Sequence, residues 1–123
     1  MSTDRPSPTS LLKITERQVG EVTILDLEGS IIMGGGSLLL RDELRSLVER
    51  GRTQIILNFA DVKYVDSSGI GELVSGWVTL NRAEGRVKLL NLSEKISEVL
   101  ALSSTLALFE TYDDEARAIE AFG

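Results

Sequence analysis

The sequence predicts a single α/β domain with a mixed sheet of about five strands and four helices, in the order β-β-α-β-α-β-α-β-α. Apolar runs of strand length alternate with segments whose apolar residues recur at helical spacing, which favours a mostly parallel sheet. A two-residue turn that begins with glycine adds one antiparallel hairpin near the start. The chain has 123 residues, which suits one domain around one core.

Both prolines of the chain, Pro6 and Pro8, lie among Ser, Thr and Asp within the first ten residues. Such a segment buries too little apolar surface to offset the loss of conformational entropy on folding. We therefore expect residues 1–10 to be a disordered tail and residues 11–122 to be the folded domain.

The first two strands are predicted at residues 11–19 and 22–28, joined by a type II′ turn at Gly20 and Glu21. The second strand is apolar on both faces, which is typical of a central strand.

Residues 29–36 are rich in glycine and are interpreted as a flexible connection. They lack the Gly-Lys-Ser/Thr ending of a P-loop and the G-x-G-x-x-G spacing of a dinucleotide site. Ser37 is predicted to cap the helix that follows, which should end near Gly51.

Residues 53–83 form the central strand, turn and helix of the predicted fold. The apolar residues 55–57 and Phe59 predict a buried strand. Asp66 is expected to cap the helix, because its carboxylate can accept hydrogen bonds from the free N–H groups of the first turn. Ser67 and Ser68 then lie at the positive end of the helix dipole, where a hydroxyl is well placed to carry a phosphate.

The last part of the chain predicts a short strand at residues 86–90 and a helix capped by Ser93. A final strand is predicted within residues 106–112, and Asp113 is expected to cap the last helix. The inner face of that helix should carry three residues, Ala116, Ile119 and Phe122.

The residue types that are missing exclude several functions. The chain has no cysteine and no histidine, so it has no disulfide, no thiolate nucleophile, no Cys/His zinc site and no Ser-His-Asp triad. A net charge of −6 without a basic run argues against nucleic-acid binding. No stretch is apolar enough for membrane insertion, and the N-terminus does not resemble a secretory signal. We expect a cytoplasmic, non-enzymatic protein that needs no cofactor and binds another protein.

The start of the central helix carries two glycines, Gly69 and Gly71, although each is expected to cost about 0.5–1 kcal/mol relative to alanine. We interpret them as leaving the helix start bare, so that another protein can approach Ser67. The alternative is that the turn is an ordinary helix cap, since Asp and Ser are common at that position.

Residues 65–71, with the sequence V-D-S-S-G-I-G, resemble the signature of the STAS domain. The turn is similar to that of bacterial anti-sigma factor antagonists, and the likeness extends over about residues 11–122. It implies that Ser67 is phosphorylated by a partner that is both an anti-sigma factor and a serine kinase, and that a serine phosphatase reverses the modification. It also implies a chain without catalytic machinery, taken here as a monomer or weak dimer, whose unphosphorylated form holds the anti-sigma factor and frees a sigma factor.

Residues on both sides of the turn are predicted to share in partner binding. Many antagonists have a polar residue shortly after the glycine that closes the second strand, whereas this chain has Ile32 and Met33 there. We expect both to be exposed beside the serine turn, where they suit a partner with an apolar surface. Asp61 and Tyr64 are expected in a loop that either borders the docking site or is merely solvated. Ser68 is interpreted as a turn hydroxyl. The predicted partner-binding residues are Ile32, Met33, Asp61, Tyr64, Asp66, Ser67, Ser68, Gly69, Ile70 and Gly71. The alternative function is a STAS scaffold or adaptor subunit without a phosphoserine switch.

Overall fold

The computed structural model describes residues 12–123, so the predicted tail and Leu11 lie outside the described part of the chain. The five strands β1 to β5 are Leu12–Val19, Val22–Ile31, Gln54–Val65, Arg86–Leu90 and Thr111–Tyr112. The four helices α1 to α4 are Gly36–Glu49, Ser67–Arg82, Glu94–Leu102 and Glu115–Glu120. A short 3₁₀ helix at Leu106–Leu108 precedes β5.

The strands form one mixed sheet in the order β1-β2-β3-β4-β5. β1 is antiparallel to β2, and each later neighbouring pair is parallel. Gly20 has φ 62, as the first position of a type II′ turn requires, and the pairing of Val19 with Val22 closes the predicted hairpin. The predicted fold class and order of elements are therefore confirmed.

The two faces of the sheet are covered unequally. Helices α1, α2 and α3 pack on one face, where their buried residues include Leu40, Leu44, Leu73, Ile96 and Leu100. The opposite face packs against the C-terminal segment, with Val22, Ile24, Ile56 and Leu90 around Ala118 and Phe122. None of the helices within residues 12–123 has the length and apolar character needed to cross a membrane.

Two strands are longer than predicted at the end of the sheet that leads to α2. β2 continues to Ile31, and β3 continues to Val65. Asp61 and Tyr64 therefore lie on β3, paired with residues of β2, and the prediction that they occupy a loop was wrong. Parallel pairing satisfies the backbone of this polar stretch, so a strand forms although its side chains are not uniformly apolar.

The start of α1 also differs from the prediction. Gly35 is the N-cap and supplies no side-chain hydrogen bond, while Ser37 lies inside the first turn and is buried. A side chain at position 36 would place its Cβ 2.2 Å from the carbonyl oxygen of Ser30. The glycines at this connection thus allow the helix to start against the backbone of β2.

The C-terminal elements are shorter than predicted. Residues 106–112 divide into the 3₁₀ helix and the two-residue strand β5. Ser93 caps α3 as predicted, but α4 is capped by Asp114 instead of Asp113. Because α4 starts one residue later than predicted, Ala116 is exposed and does not lie on the inner face. The buried residue of α4 is Ala118.

An ionic network joins β1, β2 and α4 across the sheet. The Arg17 guanidinium donates to Asp26 Oδ2 at 2.6 Å and Oδ1 at 3.1 Å, and to Glu115 Oε1 at 2.8 Å. The Asn58 side chain also donates to Asp26, at 2.8 Å. Hydrogen bonds from Arg17 hold the pKa values of Asp26 and Glu115 below their usual range.

We expect this network to make stability depend on pH. Because the folded-state pKa values of the two carboxyls are lowered, the stabilisation is complete above their unfolded values of about 4. It is lost as the pH falls through the lowered folded-state values. Arg17→Met should reduce the free energy of unfolding by about 1 kcal/mol at pH 7, since the groups are partly exposed, and by much less at pH 3. Urea unfolding at both pH values measures the difference.

Arg50→Met is the matched control, because Arg50 is more exposed than Arg17 and pairs with one carboxylate, that of Glu16, at 3.2 Å. Its effect at pH 7 should be smaller than that of Arg17→Met. If Arg17→Met lowers the free energy of unfolding equally at pH 7 and pH 3, Arg17 stabilises the domain through packing of its side-chain stem and not through ion pairing.

Candidate functional site

Asp66 organises the turn between β3 and α2. Its Oδ1 accepts from the backbone N–H of Gly69 at 2.9 Å, which confirms the predicted N-cap. Its Oδ2 accepts from the backbone N–H of Met33 at 3.0 Å, so the same carboxylate fixes the loop after β2. Partial burial raises the pKa of Asp66, but these backbone hydrogen bonds outweigh burial and the pKa is lowered. The group is therefore a fixed negative charge at neutral pH.

Ser67 is the first residue of α2 and is exposed. It follows the Asp66 cap directly, so its hydroxyl lies at the positive end of a helix of 16 residues. The position allows a modifying enzyme or a docking partner to reach the hydroxyl without unfolding the turn.

Ser68 has a different environment although it is the next residue. It is half-buried, and its hydroxyl donates to Ser37 Oγ at 3.0 Å. This hydrogen bond joins the first turns of α1 and α2. Ser68 was interpreted as a turn hydroxyl. In the structure its hydroxyl connects two helices and does not close its own turn.

The two glycines at the start of α2 have separate physical causes. A Cβ at Gly69 would lie 2.1 Å from the carbonyl oxygen of Ile31, so this position must be glycine for the helix to pack against β2. A Cβ at Gly71 would have no neighbour within 4 Å. The expectation that both glycines leave the surface bare was wrong for Gly69, which is buried, and only Gly71 opens the exposed side of the helix.

Four exposed apolar side chains lie on the segments that meet at the serine turn, and they are called the apolar rim. Their exposed fractions are 74% for Met33, 45% for Leu38, 42% for Leu39 and 47% for Tyr64. These are four of the six exposed large apolar residues within residues 12–123. The backbone of Met33 is bonded to Asp66, and Leu38 and Leu39 follow the Ser37 that accepts from Ser68.

The remaining predicted partner-binding residues differ in their exposure to solvent. Ile32 is half-buried, which corrects the expectation that it is exposed together with Met33. Ile70 is also half-buried and packs against the core. Asp61 is exposed on β3, and Lys95 of α3 lies 4.8 Å from the ring centre of Tyr64. The structure thus brings Met33, Tyr64 and residues 66–71 to one end of the sheet.

Sequence reasoning missed Leu38 and Leu39. Both belong to a run of three leucines at the start of α1, of which Leu40 is buried. Consecutive helical residues point about 100° apart, so three in a row cannot all face one core. The run itself was therefore a signal that at least one leucine would be exposed.

Comparison with known proteins identifies the family of this domain. The family model described as the STAS domain matches residues 13–118. BtrV of Bordetella bronchiseptica, whose name assigns it to the anti-sigma factor antagonists, is 23% identical over 111 residues, 90% of this chain and 95% of that protein.

Two solved structures show how widely the fold is used. The Bacillus protein SpoIIAA in its phosphorylated form has a TM-score of 0.71 and 26% identity, over 90% of this chain and 100% of that chain. The murine anion transporter Slc26a9 has a TM-score of 0.71 and 14% identity, over 84% of this chain but 18% of that chain. The sequence match over most of the domain, together with the observed strand and helix order, shows that this chain belongs to the STAS domain family.

Proposed function

We propose that this chain is an anti-sigma factor antagonist whose activity is controlled by phosphorylation of Ser67. The unphosphorylated domain binds an anti-sigma factor that is also a serine kinase, and a sigma factor is released. The observation that carries the proposal is the position of Ser67, exposed at a helix start and bordered by the apolar rim. The antagonist names of relatives that match most of the chain support it. We expect it to act with these partners in the cytoplasm, as a monomer or weak dimer.

Docking would bury the apolar rim against the partner. A cluster of exposed apolar side chains on an otherwise charged domain is typical of a protein interaction site. The exposed side of α2 at Gly71 has no side chain to keep a partner away from the Ser67 hydroxyl. The same geometry serves a kinase that must bring a phosphate donor to that oxygen.

Phosphorylation would change this surface mainly through charge. A phosphoserine carries about −1.5 to −2 charges, and the helix dipole stabilises part of that charge within the domain. The ionised Asp66 lies next to it and opposes it, as does the net charge of −6. An anion without a partner is costly to remove from water, so the modified domain is expected to keep its fold and lose its partner.

The switch is tested by mass spectrometry of the protein isolated from its host during growth and under stress. A single phosphate on Ser67 whose occupancy changes with conditions supports the proposal. Modification at Ser68 instead, or no modification in any condition, contradicts it. A serine phosphatase that removes the phosphate would complete the cycle.

The apolar rim gives a separate prediction about binding. Met33→Asp should weaken binding of the partner captured with Ser67→Ala by roughly tenfold or more, because it places a charge in the centre of a desolvated contact. The Met33 side chain is 74% exposed, so the fold should not change. Isothermal titration calorimetry measures the affinity of each variant.

Leu102→Asp is the control for this prediction. Leu102 is 89% exposed at the end of α3, outside the apolar rim, and receives the same change in charge and size. It should bind within about twofold of wild type. If both substitutions weaken binding equally, the effect is one of net charge and the apolar rim is not the docking surface.

A second candidate function is a STAS scaffold or adaptor subunit that lacks the phosphoserine switch. The fold shared with an anion transporter, of which the matching domain is a small part, favours it. This function keeps the docking surface around residues 66–71 but leaves Ser67 unmodified. Capture of a transport or scaffold complex by wild type and Ser67→Asp alike would support it over the antagonist.

A further inference from the structure

The segments that follow β4 and β5 turn to opposite faces of the sheet. The chain leaves β4 for α3, whose Ile96 and Leu100 belong to the core on one face. It leaves β5 for α4, and Ala118 and Phe122 pack on the opposite face. Because α3 and α4 lie on opposite faces, a crevice opens between them at the carboxyl ends of β4 and β5. Ligands of open α/β sheets bind outside the carboxyl ends of the strands.

A cavity of about 450 Å³ occupies this crevice. Its volume is in the range of small-molecule sites. The lining comes from β5, from the residues that follow β4 and β5, and from the two helices, namely Leu92, Ser97, Thr111, Tyr112, Asp113 and Arg117. A second cavity, beside Trp77 and Lys88, is smaller, at about 170 Å³.

The charged groups of the cavity are not used by the fold. None of the ion pairs found within residues 12–123 includes Arg117 or Asp113, although both line the same crevice. In the smaller cavity, by contrast, Lys88 is already paired with Glu110. The Arg117 guanidinium can therefore bind a carboxylate or phosphate through two parallel hydrogen bonds. Asp113 can accept from a hydroxyl of the same ligand, and Ser97 and Thr111 add hydroxyl groups.

We propose that the crevice between α3 and α4 binds a small hydroxylated organic anion, with Arg117 on the phosphate or carboxylate and Asp113 on a hydroxyl. None of residues 66–71 lines the crevice, so the site is separate from the serine turn. The inference does not depend on the proposed antagonist function, and either can fail without the other.

The test is a titration of the ¹⁵N-labelled chain with three probes, followed by amide chemical shifts. Glycerol 3-phosphate and glycerate carry the same kind of hydroxyl beside a phosphate or a carboxylate, and glycerol carries no anion. We expect saturable shifts at Leu92, Ser97 and residues 111–117 with one of the two anions, half-saturated at about 10 mM or below. Glycerol should give none. The anion that saturates distinguishes a phosphate ligand from a carboxylate ligand.

Two variants with the same charge change make the test specific. Arg117→Gln should weaken binding by roughly tenfold or more, because the charged donor is lost. Arg82→Gln, at the end of α2, should leave it unchanged. Both arginines are exposed, so unchanged spectra of the free variants will confirm that they fold. The proposal is overturned if neither anion saturates, if the shifts lie elsewhere, or if the two variants behave alike.

Discussion

Ser67→Asp is expected to lower the affinity for the anti-sigma factor by about a hundredfold, whereas Ser67→Ala should bind as wild type does. The substituted carboxylate lies on the first residue of α2, next to the ionised Asp66. Within residues 12–123 no cation pairs with Asp66, which accepts only from backbone N–H groups. In the free protein, water and the helix dipole stabilise the new charge. In the complex, the partner removes the water, and the charge is left without compensation.

The matched control for this prediction is Ser75→Asp, which makes the same change two turns further along α2, at another exposed position. It should alter the affinity by less than about twofold, since exposed charges outside an interface contribute little. Equal weakening by Ser67→Asp and Ser75→Asp would mean that net charge, and not position, controls binding. Wild-type affinity of Ser67→Asp would remove the switch from the proposed function. Circular dichroism and unfolding of each variant separate a loss of binding from a loss of fold.

The order of elements was predictable because it is a property of local periodicity. Strand and helix spacing repeats within a few residues, and caps such as Asp66 to Gly69 or Ser93 to Ile96 span three. The ends of β2 and β3 were not predictable in this way. They are fixed by parallel pairing such as that of Ser30 with Tyr64, and the energy of this pairing depends on a partner more than thirty residues away.

The site shows the same division between local and distant causes. The serine turn and its cap follow from adjacent residues. The contact of Met33 with Asp66 and that of Ser37 with Ser68 join segments 33 and 31 residues apart, and nothing in either segment alone indicates its partner. The ion pair of Arg17 with Glu115 spans 98 residues. The need for glycine at position 69 also has a distant cause. The atom that excludes a side chain there is the carbonyl oxygen of Ile31, on a neighbouring strand.

Gly69→Ala is expected to destabilise the domain by about 3 kcal/mol, the upper part of the range for overpacking a rigid core. The added Cβ would lie 2.1 Å from the Ile31 carbonyl oxygen and 3.0 Å from side-chain carbons of Ile31 and Val65. The nearest atom belongs to the backbone of a central strand, so it cannot move aside as the end of a flexible side chain does. Relief requires α2 to shift away from β2, which would also strain the bonds of Asp66 to Met33 and Gly69. The gain in helix propensity is about 1 kcal/mol and does not offset this loss.

Gly71→Ala supplies the control within the same helix, because its Cβ would have no neighbour within 4 Å. Here the propensity gain stands alone, and the free energy of unfolding should rise by about 0.5–1 kcal/mol. We therefore expect the same substitution, made two residues apart, to change the free energy of unfolding in opposite directions. Urea unfolding of the two variants at pH 7 measures both changes. If Gly69→Ala were as stable as wild type, the close packing of α2 on β2 would be incorrect. If Gly71→Ala were strongly destabilised, the exposed side of α2 would be in contact with another part of the chain and would not be open to a partner.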